Sequence, residues 1–188
     1  MKPEILINET QLDDIRARLG AAEKEAPKLL ARAMKRGLIR MWSLTTKAIA
    51  KEVGIKQKTA KTRVWKGWSG SNLRGRIRVG RVGLSYIDLS PRRTNKGVSI
   101  RWKGRRETVE GGFLAIPQSS RRVQVFKRAM KKRLPIIVQR TPALADIARA
   151  AGIPEAVILD GQMTISKEID RQIQLVLERG GLPTGGTT

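Results

Sequence analysis

Leu73-Arg74-Gly75-Arg76-Ile77-Arg78-Val79 alternates apolar and cationic side chains, with Leu73, Ile77 and Val79 on one parity and Arg74, Arg76 and Arg78 on the other. A period of two is what a half-buried strand requires, because successive side chains leave opposite faces of a sheet. The pattern recurs downstream. Val98, Ile100 and Trp102 alternate with Ser99, Arg101 and Lys103, and Val123 and Val125 alternate with Arg122 and Gln124. These stretches predict an antiparallel sheet with one apolar and one basic face. Pro91-Arg92-Arg93-Thr94-Asn95-Lys96-Gly97 and Lys103-Gly104-Arg105-Arg106 lie between them and read as hairpin tips or longer loops.

Upstream the period changes to that of a helix. Thr10 followed by Asp13 has the form of an N-cap, and Leu12, Ile15, Leu19 and Ala22 share one helical face. Pro27 is placed to open a second helix, whose stripe Leu30, Met34, Leu38, Met41, Thr45 and Ala48 leads to Val53 and Gly54. Gly37 inside that helix costs about 1 kcal/mol relative to Ala unless a close neighbour compensates, so a tight helix crossing is expected there. The stretch Ile55 to Lys66 is polar and basic, and Gly67-Trp68-Ser69-Gly70-Ser71-Asn72 reads as a flexible loop.

Downstream of the strands, Leu144, Ile147 and Ala148 predict a short helix ending at Gly152, with Ile153-Pro154 breaking or restarting the chain. Thr164 or Ser166 is the expected cap of a last helix carrying Ile169, Ile173, Val176 and Leu177. The expected fold class is therefore α+β: two N-terminal helices, a twisted antiparallel sheet with basic loops, and a C-terminal helix packed back on it. One domain over residues 1–180 is expected, helical over 10–54, basic loop and sheet over 55–130 and helical again over 140–180. Residues 181–188 read as a disordered tail.

The 188 residues hold 39 Lys and Arg against 16 Asp and Glu, a net +23. The first 26 residues carry 4 cations and 6 acids and the last 38 carry 3 and 5, which leaves 32 against 5 for residues 27–150. So much like charge repels itself until a polyanion or counterions neutralise it, which points to nucleic acid. With aromatics at 4%, four of them Trp42, Trp65, Trp68 and Trp102, base stacking has little material, and contact with phosphates is the expected mode.

Other classes lose ground on composition. Cysteine and histidine are absent, which removes disulfides, thiolate nucleophiles, imidazole bases and the usual zinc ligands. No apolar run reaches the roughly 20 residues of a membrane span, and the first residues lack a signal peptide's apolar core, so a soluble compartment is expected. In the basic block, Glu52, Asp88, Glu107, Glu110 and Asp146 form no spaced catalytic pair or metal motif and read as partners of adjacent cations. The expectation is no enzyme, no cofactor and no metal.

One ordered series carries a family resemblance: Gly112-Phe113-Leu114-Ala115, Val123-Gln124-Val125-Phe126-Lys127-Arg128, Lys132-Arg133-Leu134-Pro135-Ile136 and Thr141-Pro142-Ala143. Together with the upstream order of helix, proline, second helix and basic run, it resembles the phage minor tail protein Z family over roughly residues 10–180. The resemblance implies a structural tail-completion subunit in the neck or upper tail of a virion, passing through the host cytoplasm during assembly. It further implies a homo-oligomer, commonly a hexameric ring, next to tail terminator, tail tube or head-completion proteins and along the path of double-stranded DNA. On that reading Arg74, Arg76, Arg78, Arg92, Arg93, Lys96, Arg101, Arg105 and Arg106 are the candidate non-specific phosphate contacts.

A competing signal is Ala50-Lys51-Glu52-Val53-Gly54-Ile55 followed by Lys56-Gln57-Lys58-Thr59-Ala60-Lys61-Thr62-Arg63, which resembles a helix-turn-helix. It makes a sequence-specific DNA-binding regulator using residues 45–63 the alternative reading. Leu144 to Ile158 echoes the pattern in net acidic surroundings. Both are read here as helix ends.

Overall fold

The computed structural model describes residues 4–5, 9–19, 26–70, 73–118, 122–130 and 134–179. The element order is β1 (Glu4–Ile5), α1 (Glu9–Leu19), α2 (Ala26–Val53), α3 (Gln57–Lys61), β2 (Val64–Ser69), β3 (Arg74–Val79), a 3₁₀ turn (Tyr86–Leu89), β4 (Arg92–Thr94), β5 (Gly97–Trp102), β6 (Arg105–Glu110), β7 (Gly112–Ala115), β8 (Gln124–Arg128), β9 (Ile136–Val138), α4 (Leu144–Ala150) and α5 (Ile153–Arg179). The α+β class holds, but the strands form three three-stranded sheets among the described residues, ordered β1-β3-β2, β4-β5-β6 and β7-β8-β9. The chain divides into two units, residues 1–45, 65–78 and 154–188 in one and residues 46–64 and 79–153 in the other.

The first unit is organised by α2 and α5. Leu30, Met34, Leu38, Met41 and Thr45 are buried, as the apolar stripe requires. Ile15, Leu19, Ala26, Leu29, Leu30 and Ile173 form a core cluster, with Leu73, Ile169, Val176 and Leu177 packed against it. The close crossing expected at Gly37 is present. A Cβ there would lie 2.3 Å from Ile165 Cγ1 of α5, so only glycine admits this approach. Ion pairs flank the crossing: Arg40 to Asp160 at 3.1 Å and Arg36 to Glu168 at 2.6 Å. A third, Arg18 to Asp170 at 2.9 Å, ties α1 to α5.

In the second unit α2 ends where the sequence placed its stop. Gly54 has φ +78, and the N–H groups of Gly54 and Ile55 both donate to the Ala50 carbonyl at 3.0 Å. The β5–β6 hairpin docks on this helix end. Lys103 (φ +47) and Gly104 (φ +79) make its two-residue turn, and the Lys103 N–H donates to the Val53 carbonyl at 3.0 Å. Lys103 Nζ also pairs with Glu52 at 3.2 Å, placing a cation at the negative end of the helix dipole.

Several expectations are corrected. Arg105 and Arg106 belong to β6, and Arg92, Arg93 and Thr94 form β4, so only Lys103–Gly104 and Asn95–Lys96 are turn residues. Gly67-Trp68-Ser69 ends strand β2, beside β3, while Ser71 and Asn72 lie outside the described residues. Thr10 stands inside α1, which begins at Glu9, and Ala22 lies outside the described residues. The last helix begins at Ile153, not near Thr164. Pro154 falls in its first turn, where no intrahelical N–H is needed, and the Thr164 hydroxyl donates to the Asp160 carbonyl at 2.9 Å within it.

Candidate nucleic-acid interface

β3 shows the expected two-sidedness. Ile77 is buried on one face with Gly75, whose position leaves room for Leu38 of α2: a Cβ on Gly75 would lie 3.2 Å from Leu38 Cδ1. Arg74 and Arg78 are exposed on the other face, and Arg76 between them is half-buried.

The β4-β5-β6 sheet separates its cations by register. Arg92 stands opposite Ser99, and Arg101 stands directly opposite Arg106, so these three arginines share the face away from buried Val98 and Ile100. Arg93 opposite Val98 and Arg105 opposite Trp102 fall on the other face, and Lys96 sits in the β4–β5 turn. Arg106 donates to Ser99 Oγ at 3.3 Å, laying its guanidinium across the strand. Two like charges directly opposite on adjacent strands oppose pairing, and an anionic partner removes that cost. The nine candidates are thus divided: the β3 residues belong to the first unit and the other six to the second.

Seven of these nine cations are not neutralised at home. Among the described residues no carboxylate pairs with Arg74, Arg78, Arg92, Arg93, Lys96, Arg101 or Arg105, whereas Asp160, Glu168 and Asp170 of α5 are engaged by Arg40, Arg36 and Arg18. Of the five acids in the basic block, Glu52 pairs with Lys103 and Asp146 with Arg149 at 3.3 Å. The expectation of an ion pair at each does not extend to the other three. Glu107 stands opposite Ile100 and Glu110 opposite Gly97 on β5, and Asp88 lies in the 3₁₀ turn; the described residues show no ion pair for them. Glu107 acts instead on Tyr86, whose phenol is pushed above its ordinary pKa by burial first and then by that carboxylate.

Clefts lined by described residues lie within the second unit. One, of about 560 Å³, is lined by Arg93, Lys96, Val98, Phe113 and Arg128 among others. Another, of about 540 Å³, lies between the end of α2 and the 3₁₀ turn, with Lys51, Lys56, Asp88 and Arg101 in its lining. Arg128 and Phe113 were absent from the candidate set. Their common signal was Val125-Phe126-Lys127-Arg128, because residues 126 and 128 of one strand share a face and the register sets Phe113 against Phe126.

The segment that resembles a recognition helix is α3, five residues long and followed at once by β2. One and a half turns reach too few base edges for a major-groove reader. No group of three or more metal-ligating side chains occurs among the described residues, and no helix among them is long and apolar enough to cross a membrane.

The quoted series resolves into structure as well. Gly112–Ala115 is β7 and Gln124–Arg128 is β8, paired with Phe113 against Phe126, whose rings stack at 5.9 Å and 25°. The Leu134–Pro135 bond is cis, Ile136 opens β9, and Thr141-Pro142-Ala143 leads into α4. The family model of prophage minor tail protein Z matches residues 12–179. The chain belongs to that family. No curated protein and no solved structure matches it. Membership in the minor tail protein Z family makes this a structural phage tail protein, located in the virion and in contact with other virion components.

Proposed function

We propose that this minor tail protein Z family member is a tail-completion subunit. It forms a homo-oligomeric ring, sixfold as the family resemblance implies, at the head-proximal end of the tail, and finishes the tail for head joining. In the ring its cations meet the phosphates of double-stranded DNA without reading sequence, and no catalysis is involved. The observation that carries the DNA contact is the set of exposed arginines on β3 to β6 that have no carboxylate partner among the described residues, including the opposed Arg101 and Arg106. The scarcity of aromatics supports phosphate contact over base stacking.

The test is equilibrium binding to duplexes of random and selected sequence across a range of salt. Affinity is expected to be equal across sequences and to fall steeply with salt. A large specificity ratio that survives moderate salt would sink this reading in favour of a sequence-specific regulator.

A further inference from the structure

We propose that the cleft between the β4–β5 turn and strands β7 and β8 seats a single backbone phosphate of DNA, held jointly by Arg93, Lys96 and Arg128. The proposal rests on the DNA contact put forward above and gives it a place. Three cations, Arg93 and Lys96 from the β4–β5 hairpin and Arg128 from β8, line one cleft of about 560 Å³, and no carboxylate is among the lining residues. None of the three has an ion pair among the described residues. Two guanidinium forks and an ammonium supply the donors that the oxygens of one phosphodiester take up, and Asn95 adds an amide at the turn.

The apolar side of the cleft selects phosphate over base. Phe113 is the aromatic residue of the lining, and its ring is already engaged: it stacks on Phe126, and the Arg128 guanidinium lies over it at 5.9 Å. A ring so occupied is no free platform for a nucleobase, while the same contact steadies Arg128 facing the cleft. Contact here is therefore with the sugar-phosphate backbone and is indifferent to sequence.

Convergence on one phosphate has a signature that dispersed contacts lack. The slope of log affinity against log salt counts phosphates neutralised, about 0.9 for each on duplex DNA. Full-length protein carrying Arg93→Gln, Lys96→Gln and Arg128→Gln is compared with an equal-charge variant carrying Arg74→Gln, Arg78→Gln and Arg101→Gln, using a labelled random-sequence duplex. The cleft variant is expected to lose about 0.9 from the slope, about eightfold in affinity near 0.1 M salt, and the dispersed variant up to about 2.7. An unchanged slope in the cleft variant, or a fall matching the dispersed one, overturns the single seat while leaving DNA binding intact. Failure of the unaltered protein to bind any duplex overturns the functional reading as well. Binding of polyglutamate that the cleft variant alone loses, with DNA binding retained, assigns the cleft to an acidic protein segment and overturns the proposal. Lys96→Gln alone, in an exposed turn, keeps the test valid should the triple variant misfold; it is expected to weaken duplex binding, and unchanged affinity counts against the seat.

Discussion

Glu168 is buried on α5, and burial by itself would raise its pKa. Hydrogen bonds from Gln172 and Arg36, with the charges of Arg36 and Arg171, outweigh that and hold the carboxyl below the ordinary glutamate range. Because its folded pKa is depressed, the contribution of Glu168 to stability is complete above its unfolded value. It is lost as pH falls toward the folded one, when the unfolded chain takes up the proton first. Denaturation midpoints measured between about pH 5 and pH 3 should therefore fall with pH, and Glu168→Gln should flatten that dependence and lower the midpoint at neutral pH. Ser85 gives the opposite kind of prediction. Its Oγ is shielded from solvent and has no hydrogen-bond partner among the described residues. Ser85→Ala should raise stability by about 1 kcal/mol in urea titration, because the unfolded state no longer offers that hydroxyl a better environment. Neither role was legible in the sequence. Ser85 carries no pattern, and Arg36, which both hydrogen-bonds and charge-pairs with Glu168, lies 132 positions away from it.

The crossing of α2 and α5 couples the two helices through Gly37 and Ile165. Replacing Gly37 by Ala gains about 1 kcal/mol of helix propensity but forces Ile165 aside, and overpacking costs about 1–3 kcal/mol, so the net change should be destabilising. Ile165→Ala alone should cost about 2–4 kcal/mol, and the double variant at least about 1 kcal/mol less than the sum, a coupling that thermal or denaturant melts would reveal. Additive costs would mean that the two side chains do not compete for space. Gly37 was legible as a close approach because nothing else justifies glycine in a long helix, and α2 itself was readable from its stripe to its glycine stop. α5 was readable only in its second half, since Pro154 and Gly161 look like interruptions. Proline is harmless in the first turn, and Gly161 stands beside Gly37, its carbonyl 3.4 Å from where a Gly37 Cβ would be. β6 was missed for a different reason. Arg105-Arg106-Glu107-Thr108-Val109-Glu110 is exposed at every residue but Val109, so it is held by its ladder to β5 and has no apolar face to announce it. The same holds for the cleft: Arg93 and Lys96 read as a basic loop, but only the pairing of β7 with β8 brings Arg128 near them.

For the whole molecule, charge reversal separates a DNA-facing role from a merely soluble surface. Arg74→Glu with Arg78→Glu should leave folding unchanged, since both side chains are exposed, yet reduce duplex affinity at least about tenfold near 0.1 M salt. In phage particles carrying that variant, tails are expected to assemble while DNA retention and infectivity fall. Normal infectivity would remove β3 from the DNA path. The opposed Arg101 and Arg106 bear on assembly in another way. A surface that already repels itself within one subunit repels a second copy of itself more strongly, so two free subunits meeting there part again. In the proposed ring, like-charged arginines on this face would hold free subunits apart there and leave contacts between copies to the rest of the surface until an anion quiets it.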